Sequence, residues 1–527
     1  MLAVQSPRRN LLIPAAVLLA AAWAASAAAD EAGFVPLFNG QSLAGWEGDP
    51  AVWRVEDGAI VGQTTAESPL RKNTFLIWRP GLVDDFELAF SYRLTGGNSG
   101  VQYRSRELPD QGEFVVGGYQ ADFEAGPRHS GILYEERGRG ILAERGQRIT
   151  VTREGGKVAG EPIGTAAELQ ARIRPEDWNE FRVVARGNRL QHFINGQLMS
   201  ETVDEQVDQR RLQGILALQL HAGPPMKLEA KDIRLRRLKL AAGHRKLVLV
   251  AGRPSHASGE HEFRAGCLLL KKCLDASSLP LVTAVYADGW PTDATAFDNA
   301  DAVFVFSDGG GRHPVLQGNR LAQIAALARR GVGVACLHYA VEVPKETAGA
   351  EFLDWLGGYF EMGWSVNPHW RLEQTQLAPD HPITRGVKPF TTQDEWYYHM
   401  RFREPPTDVT MLLSAVPPDA TRERPDGPHS NNPTVRAGKG SREVLAWARE
   451  RPDGGRGFGC TGGHFHRNWA DDDFRRLMLN ALVWTSGLDV PAEGVSSTVT
   501  AADLAANLDD KPTTKKPPAK KQPAQTN

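Results

Sequence analysis

The chain shows two patterns of hydrophobic and polar residues, one after the other. Residues 33–238 contain short runs in which apolar and polar positions alternate, such as DFELAFSYRL and EFRVVARG, separated by turns rich in glycine. Alternation with a period of two indicates strands that are buried on one face. Because no long helical pattern intervenes, we predict an all-β antiparallel sandwich for this part of the chain.

From residue 246 the apolar positions become continuous. KLVLVAG, ADAVFVF and GVGVACL are apolar runs, and GEHEFRAGCLLLKKCLDA and GNRLAQIAALARR between them have helical spacing. Strands without a polar face indicate a parallel sheet that helices cover on both sides. Residues 246–488 are therefore predicted to form an α/β domain, which the helix in DDDFRRLMLNALVWTSG closes.

Both ends of the chain differ from the predicted domains. Residues 1–29 combine SPRRN, an apolar run and the small residues ASAAAD, which is the arrangement of a secretory signal peptide. An uncleaved anchor is the alternative, but the run is short for a spanning helix. We therefore expect a periplasmic or secreted protein with no stable membrane span after cleavage. Residues 491–527 end in KPTTKKPPAKKQPAQTN and are predicted to be a disordered lysine- and proline-rich tail.

Composition adds limits to this outline. The chain has 527 residues, 41% of them hydrophobic and 24% charged, with a net charge of -2. This length exceeds what a single hydrophobic core supports, and the balanced charge indicates no nucleic-acid partner. The four cysteines contain no CxxC pair and are interpreted as buried side chains. Oligomeric state does not follow from these features.

Large polar residues recur along the predicted sandwich strands, mostly two positions apart. They are Asn98, Gln102, Arg104, Gln120, Asp122, Glu135, Gln219 and His221. Residues two apart lie on the same face of a strand. A merely solvated face would favour lysine, threonine and serine, whereas convergent amides, acids and a histidine favour a groove for a polar small molecule such as a sugar.

The second domain concentrates histidines near the predicted strand ends. Ten of the fourteen histidines fall between His256 and His466. RPSHASGEHEF directly follows the first apolar strand and His338 ends another, and this edge is where open α/β sheets bind ligands. The candidate residues are His256, Glu260, His261, His338, Glu395 and His464. Histidines and carboxylates from separate strand ends suit zinc or a similar ion. Because no HExxH motif is present, structural and helix-capping histidines remain the alternative.

These motifs resemble two known families. GFVPLFNGQSLAGW, WRVEDGAIVG, GGNSGVQYRSRE, GGYQADF and SGILYEERGRGIL are similar, in this order, to the 3-keto-disaccharide hydrolase family across 33–238. That resemblance implies a concanavalin-like jelly-roll sandwich that cleaves glycosides oxidised to a ketone at carbon 3. GEHEF, GVGVACLHYA, DEWYY and GGHFHRNWADDDF resemble the ThuA-like (trehalose utilisation) family across 246–488. This second resemblance implies a class I glutamine-amidotransferase-like, flavodoxin-like fold and a link to disaccharide use.

A 3-keto sugar can lose its aglycone by elimination. The ketone acidifies the hydrogen on carbon 2, so a base removes it while the glycosidic oxygen leaves carbon 1, and addition of water to the enone completes a net hydrolysis. The step needs a base, an acid and a group that stabilises the enolate. We expect Asp122 or Glu135 as the base and His221 as the acid. The expected substrate-binding residues are Asn98, Gln102, Arg104, Gln120 and Gln219.

A divalent metal is a candidate cofactor. Its ligands could be Asp122, Glu135 and His221, or else His256, His338 and His464. Glutaminase chemistry is not expected, because His338 occupies the turn position where an amidotransferase has its cysteine and Cys336 lies within the apolar strand.

Two alternatives to an exported hydrolase remain. The sandwich could bind carbohydrate on behalf of a catalytic ThuA-like domain, or the protein could be a non-catalytic sugar-binding protein of the envelope. Binding modules rely on aromatic platforms with few acids, whereas this groove contains acids and a histidine together. The hydrolase is therefore favoured.

Overall fold

The computed structural model describes residues 32–511. The predicted signal peptide at 1–29 lies outside the described residues, as do the last sixteen residues, 512–527, of the predicted tail. Within the described part of the chain, no helix combines the length and the apolar character that a membrane crossing needs.

The first domain is built from seventeen strands and a short helix, α1 (Ala166–Gln170). The strands are β1 (Val35–Pro36), β2 (Trp46–Glu47), β3 (Trp53–Glu56), β4 (Ala59–Thr64), β5 (Thr74–Val83), β6 (Phe86–Thr95), β7 (Asn98–Glu107), β8 (Val116–Glu124), β9 (Leu133–Glu136), β10 (Gly140–Ala143), β11 (Arg148–Val151), β12 (Lys157–Ala159), β13 (Asn179–Arg186), β14 (Arg189–Ile194), β15 (Gln197–Asp204), β16 (Gly214–Leu220) and β17 (Met226–Arg237).

These strands form the predicted β-sandwich. One sheet has the order β12-β11-β15-β14-β13-β6-β17-β4-β3, with β1 beside β17, and the other has the order β10-β9-β8-β7-β16-β5-β2. Apolar side chains from both sheets fill the space between them, and the rings of Phe90 and Phe181 stack there at 5.6 Å. The second sheet therefore has one face against the core and one face directed outward, which carries the polar residues.

The second domain contains the remaining strands of the described chain together with five α-helices, and a sixth helix lies in the C-terminal segment. The strands are β18 (Arg245–Ala251), β19 (Leu281–Tyr286), β20 (Ala302–Phe306), β21 (Gly333–Leu337), β22 (Gly358–Tyr359), β23 (Trp370–Arg371), β24 (Gln376–Leu377), β25 (Gln393–Asp394), β26 (Arg401–Phe402), β27 (Val409–Ala415), β28 (Glu443–Glu450) and β29 (Arg456–Cys460). The helices are α2 (Phe263–Asp275), α3 (Arg320–Arg329), α4 (Ala350–Trp355), α5 (Pro433–Ala437) and α6 (Asp472–Thr485), and α7 (Ala501–Ala505) follows in the C-terminal segment.

The main sheet of this domain is mixed, whereas the sequence pattern predicted a parallel one. Its order is β19-β18-β20-β21-β29-β28-β27-β24. The first five strands are parallel, but β28 and β29 are joined by a short turn and pair antiparallel, as β27 and β24 do beyond them. A short connection can join only antiparallel neighbours, and this reverses the direction of the sheet.

The predicted closing helix is α6. The Asp471 side chain accepts hydrogen bonds from the backbone N–H groups of Asp473 and Phe474, which caps the positive end of the helix. All four cysteines are buried and unpaired, as expected, and burial raises the pKa of the Cys336 thiol. A buried thiol with a raised pKa is inert, so Cys336 has no nucleophilic role.

The prediction of a disordered tail from residue 491 is wrong for 491–511. This segment contains α7, which begins with a capping box between Thr500 and Asp503. Val495 is 2% exposed and packs on the core of the second domain, and Val499 and Leu504 pack against the same core, so this segment has apolar side chains that attach it to the domain. Lys511, at its end, is buried against the loop before α2.

A buried group of charges joins the two domains. Lys246 Nζ lies 2.7 Å from Asp84 Oδ2, and Arg237 bridges Asp84 at 3.3 Å and Asp293 at 2.7 Å. The Asn299 amide also donates to Asp84, at 2.9 Å. Because buried charges are tolerated only when they are paired and hydrogen-bonded, this set fixes how the sandwich meets the second domain.

Candidate functional site

A polar pocket of about 450 Å³ opens on the outward face of the sandwich sheet that contains β7, β8, β9 and β16. Its polar lining includes Asn98, Gln120, Asp122, Glu136, Gln219 and His221. Gly100 lies opposite Asp122 in the β7–β8 register, and a Cβ atom at position 100 would lie 2.6 Å from Gln120 Cγ. The glycine therefore makes the room in which Gln120 folds towards Asp122.

A chain of hydrogen bonds fixes the orientation of the Gln120 amide. Ser105 Oγ donates to Gln102 Oε1 at 2.7 Å, and Gln102 Nε2 donates to Gln120 Oε1 at 2.6 Å. Gln120 Nε2 is left to donate to Asp122 Oδ1, and to Gln219 Oε1 at 3.3 Å. Each amide is held by the one before it, so the carboxyl of Asp122 has a defined position in the pocket.

Asp122 is a carboxyl group that keeps its proton at neutral pH. It is 6% exposed, and burial raises its pKa to about 8. The nearby charges of Glu136 and Glu124 raise the pKa further, whereas hydrogen bonds from Gln120 and Asn98 oppose the shift. A buried carboxyl beside other carboxylates takes the neutral form because a second negative charge there is costly.

Glu136 and His221 lie on the other side of the same pocket. The pKa of Glu136 is raised, and burial is the cause. Three neighbours oppose this shift: the charge of Arg137, a hydrogen bond from Asn73 and the nearby His221. His221 Nδ1 lies 2.5 Å from the carbonyl oxygen of Ala222. Since a carbonyl oxygen can only accept, Nδ1 carries the proton and Nε2 is left with a lone pair in the neutral ring.

In the second domain, four donor side chains meet at the carboxyl edge of the parallel strands. The ligand atoms of His261, His338, Glu395 and His464 all lie within 4.8 Å of one another. His261 Nε2 is 3.0 Å from His464 Nδ1, and Glu395 Oε2 is 3.4 Å from the same nitrogen. Three imidazoles and one carboxylate are a donor set that could hold a divalent transition metal.

The chain positions these donors through strained backbone and hydrogen bonds. His338 follows β21 directly with φ 56° and His261 has φ 47°, in the left-handed region that residues other than glycine rarely adopt. The Asp394 carboxylate accepts from the backbone N–H groups of Gly463, His464 and Phe465 at 2.8 to 3.2 Å. Asp394 therefore binds the turn that contains His464. Because Glu395 is the next residue after Asp394, the same contacts keep Glu395 close to His464. Strained residues cluster at functional sites, where the surrounding structure holds them in place.

Burial keeps these imidazoles neutral. Desolvation lowers the pKa of His338 and of His261 well below the ordinary value, and the neighbouring histidines add to the effect. Neutral imidazole is the form that ligates a metal.

Sequence comparison identifies both halves. The sequence profile of the 3-keto-alpha-glucoside-1,2-lyase-like domain matches residues 33–236, and the profile of the trehalose utilisation (ThuA) family matches residues 248–485. The chain joins a lyase-like domain to a ThuA domain. Both family descriptions name a sugar, which indicates a carbohydrate-related function.

No functionally curated protein matches the chain. Among solved structures, the chain is similar to a candidate glycosyl hydrolase from Parabacteroides distasonis, with 16% identity and a TM-score of 0.26 over 39% of this chain and 99% of that one. It is also similar to a candidate ThuA-like protein from Bacteroides uniformis, with 15% identity and a TM-score of 0.35 over 48% of this chain and 96% of that one.

Glu135, one of the two predicted bases, does not face the pocket of the lyase-like domain. Arg139 Nε lies 2.6 Å from Glu135 Oε2, and Arg139 also binds Asp204 at 2.7 Å. Neighbouring residues of a strand point to opposite faces, so the pocket receives Glu136 instead. The buried Leu133 could have shown this from the sequence, because Glu135 shares its face.

Arg104, a predicted substrate-binding residue, is also outside the pocket. It is fully buried, and its guanidinium donates to Asp85 Oδ1 at 2.7 Å and to the Gly187 carbonyl at 2.6 Å. The β7–β8 register shifts between Tyr103 and Arg106, which turns Arg104 away. Gln102 lies beneath the pocket as part of the amide chain. The remaining predicted residues line the pocket: Asn98, Gln120, Asp122, Gln219 and His221.

In the ThuA domain the structure brings together His261, His338, Glu395 and His464 of the six predicted residues. Glu260 lies at the rim, 3.9 Å from His464 Nε2, and His256 stacks on His261 with ring centres 3.6 Å apart. The alternative metal set of Asp122, Glu135 and His221 is wrong, because Glu135 faces away from the other two. Among residues 32–511, groups of three or more metal donors occur only in the ThuA domain.

Proposed function

We propose that the lyase-like domain cleaves the glycosidic bond of 3-keto-glycosides by elimination across carbons 1 and 2, followed by hydration. The observation that carries this proposal is the pair of carboxyl groups in one pocket, Asp122 with a pKa of about 8 and Glu136 beside it. Two titratable groups with different environments in one site are the usual arrangement of a general acid and a general base.

The environments of the two carboxyl groups assign their roles. Asp122 is protonated at neutral pH and acts as the acid, rather than as the base that the sequence suggested. Glu136 removes the proton from carbon 2, the bond between carbon 1 and the glycosidic oxygen breaks, and Asp122 gives its proton to that oxygen. Water then adds to carbon 1 of the enone as Asp122 takes a proton from it, and Glu136 returns its proton to carbon 2, which yields the free 3-keto sugar and restores both carboxyl groups.

Gln219 supplies a donor for the negative charge that develops on the ketone oxygen. Its Nε2 is buried and has no hydrogen-bond partner among the described residues, although its Oε1 accepts from Gln120. A buried donor without a partner is costly unless a ligand satisfies it. Gln219 is therefore a fitting enolate stabiliser, because such a donor needs no rearrangement during the reaction.

The second candidate function makes the lyase-like domain a carbohydrate-binding module for a catalytic ThuA domain. The four-donor cluster of His261, His338, Glu395 and His464 favours it. We also propose that the chain is exported through 1–29 and that the ThuA domain is flavodoxin-like. The parallel strand order β19-β18-β20-β21-β29 supports the latter.

Cleavage assays with the full chain separate the two functions. We expect release of glucose from 3-keto-trehalose but not from trehalose, with activity lost in Asp122→Asn and Glu136→Gln and retained in Glu395→Gln. If Glu395→Gln alone abolishes cleavage, the ThuA domain is the catalyst. If unoxidised trehalose is cleaved equally well, the elimination mechanism is wrong, because it requires the ketone.

A further inference from the structure

The proton positions on His261 and His338 exclude a hydrogen bond between these two rings of the ThuA cluster. His338 Nδ1 lies 2.8 Å from the carbonyl oxygen of Thr461, which can only accept, so the proton of this neutral ring is on Nδ1. His261 Nδ1 lies 2.9 Å from Asp308 Oδ1, which places its proton on Nδ1 as well. Both Nε2 atoms therefore carry lone pairs, yet they lie 3.2 Å apart.

A cation between these nitrogens removes the conflict. Two lone pairs at this distance repel each other, and neither ring has a proton to share. The Tyr397 hydroxyl, 3.2 Å from His338 Nε2, and His464 Nδ1, 3.0 Å from His261 Nε2, are the other polar groups that face these nitrogens. His464 Nδ1 and Glu395 Oε2 lie in the same space, so ligand atoms of four side chains on separate segments converge there. Ligating histidines typically donate their other N–H to a carboxylate or carbonyl, which is the arrangement of His261 with Asp308 and of His338 with Thr461.

The cluster is open on one side. A cavity of about 380 Å³ adjoins it, with a lining that includes Glu260, Tyr339, Asn367, His369 and His429. His369 Nε2 lies 3.6 Å from the second oxygen of Glu395, and His429 is held by Glu342 at 2.9 Å. A metal site that is open to a polar cavity has a position for a ligand, as catalytic sites do, whereas purely structural sites are closed.

We propose that His261, His338, Glu395 and His464 bind one divalent transition-metal ion, and that this ion forms a second active site that takes a small polyhydroxylated ketone. The polar lining suits a sugar-sized molecule with many hydroxyl groups. Adjacent carbonyl and hydroxyl oxygens of such a molecule could occupy the open side of the ion, which would polarise the carbonyl. This site is separate from the pocket of the lyase-like domain and does not depend on its activity.

Metal binding by the full chain tests the first half of the proposal. The protein is stripped with a chelator, and Zn²⁺, Co²⁺ or Mn²⁺ is titrated in competition with a chromophoric chelator. We expect one tight site for at least one of these ions, and its loss in Glu395→Gln and His464→Gln. His381→Asn is the matched control, because His381 accepts a hydrogen bond from the Ile383 N–H at 3.2 Å outside the cluster, and asparagine can replace that cap.

Asp308→Asn distinguishes a ligand site from an ordinary structural histidine cluster. Asparagine keeps the shape of the side chain but weakens the hold on His261 Nδ1, and loss of such an outer partner typically reduces metal affinity about 10–100-fold. The absorption spectrum of bound Co²⁺ reports the ligands of the ion directly and is independent of the competition titration. If no ion binds tightly, or if the control loses the site as fully as Glu395→Gln does, the proposal is overturned.

The ligand half is tested with the cobalt-loaded protein. Addition of 3-keto-glucose should change the visible spectrum of the bound Co²⁺, whereas glucose should have a much smaller effect because it lacks the ketone. The same change should persist in Glu136→Gln, in which the lyase-like site is disabled. An unchanged spectrum with saturating 3-keto-glucose would overturn the assignment of the ligand, and cleavage of 3-keto-trehalose by wild type would still support the lyase-like site.

Discussion

Gln120 and Asp122 face the same way on β8, and the amide nitrogen of Gln120 donates to the carboxyl oxygen Oδ1 of Asp122. The bond forms because Gly100 on the facing strand leaves room for the Gln120 side chain and because Gln102 occupies the oxygen of its amide. Asp122 is thereby held in a buried place where the neutral form is preferred. This local packing therefore produces a carboxylic acid that can donate a proton at neutral pH.

The adjacent residues Glu135 and Glu136 provide a matched pair of variants. We expect Glu136→Gln to lower kcat for 3-keto-trehalose about 10²–10⁴-fold, which is the usual contribution of a general base. Glu135→Gln should retain activity but unfold at lower temperature, because it weakens the ion pair with Arg139. The measurements are steady-state kinetics and thermal unfolding of both variants. A folded Glu135→Gln protein that is inactive would contradict the assigned strand faces.

The sequence predicted much of this pocket, and the misses have identifiable causes. Alternation along regular strands correctly grouped Gln120 with Asp122 and Gln219 with His221. It failed for Arg104 because a register shift in β7 interrupts the alternation, and bulges leave no clear sequence signal. The prediction of Glu135 instead of Glu136 is wrong because Glu135 shares a face with the apolar Leu133, and that face is directed into the core.

In the ThuA domain the sequence indicated the donors but not what holds them. The sequence indicates His261 and His338 because they follow apolar strands, His464 because it lies on a glycine-rich turn, and Glu395 because it lies near a further histidine in TTQDEWYYH. Asp308 and Asp394 were missed, since their roles depend on contacts with residues 47 and about 70 positions away in the chain. The sequence also predicted a parallel sheet where the structure has a mixed one, because an apolar strand has the same residue pattern whether its neighbours are parallel or antiparallel.

The titration of Asp122 predicts how stability depends on pH. Its pKa rises from 3.8 in the unfolded chain to about 8 in the fold, so the folded state holds this proton more tightly. The contribution of the group to stability is therefore complete below about pH 4 and is lost as the pH rises through about 8. Asp122→Asn stays neutral, so its stability relative to wild type should increase by about 1.4 kcal/mol for each pH unit within this window.

Denaturant unfolding of wild type and Asp122→Asn at pH 4, 6 and 8 measures this difference. The gap between the two proteins should widen with pH, and Glu113→Gln, a change of an exposed carboxyl in the same domain, should produce no such trend. A constant gap across these values would mean that Asp122 is ionised in the folded protein, and it could not then serve as the acid.

The buried charges between the domains predict a large cost for removing Asp84. In Asp84→Ala, Lys246 loses the carboxylate that lies 2.7 Å from its ammonium group. Removal of one partner of a buried ion pair typically destabilises a protein by about 3–5 kcal/mol, because the other charge stays buried. Urea unfolding should show this loss, and Asp84→Ala with Lys246→Met should recover part of it. The exposed pair of Arg371 and Glu373 supplies the control, since Glu373→Gln should leave the midpoint unchanged. Equal midpoints for Asp84→Ala and wild type would contradict the role of these charges.

Lys511 predicts a link between the end of the described chain and the metal cluster. Its ammonium group donates to the carbonyl oxygens of Glu260 and His261 at 2.7 and 3.0 Å, and it lies 3.4 Å from the fully buried carboxylate of Glu262. Lys511→Met keeps the length of the side chain but removes the charge, so Glu262 is left buried without its cation. We expect a destabilisation of about 3 kcal/mol and weaker metal binding, because the loop that carries His261 is no longer held from behind.

The measurements are thermal unfolding and the competition titration of metal, both with the full chain. Lys439→Met is the matched control, since Lys439 is an exposed lysine paired with Glu423 on the same domain, and neither property should change there. If Lys511→Met loses stability but binds metal as tightly as wild type, the C-terminal segment supports the fold alone. If metal affinity falls while added metal restores the unfolding temperature, the segment acts on the cluster through His261, as its two backbone contacts indicate.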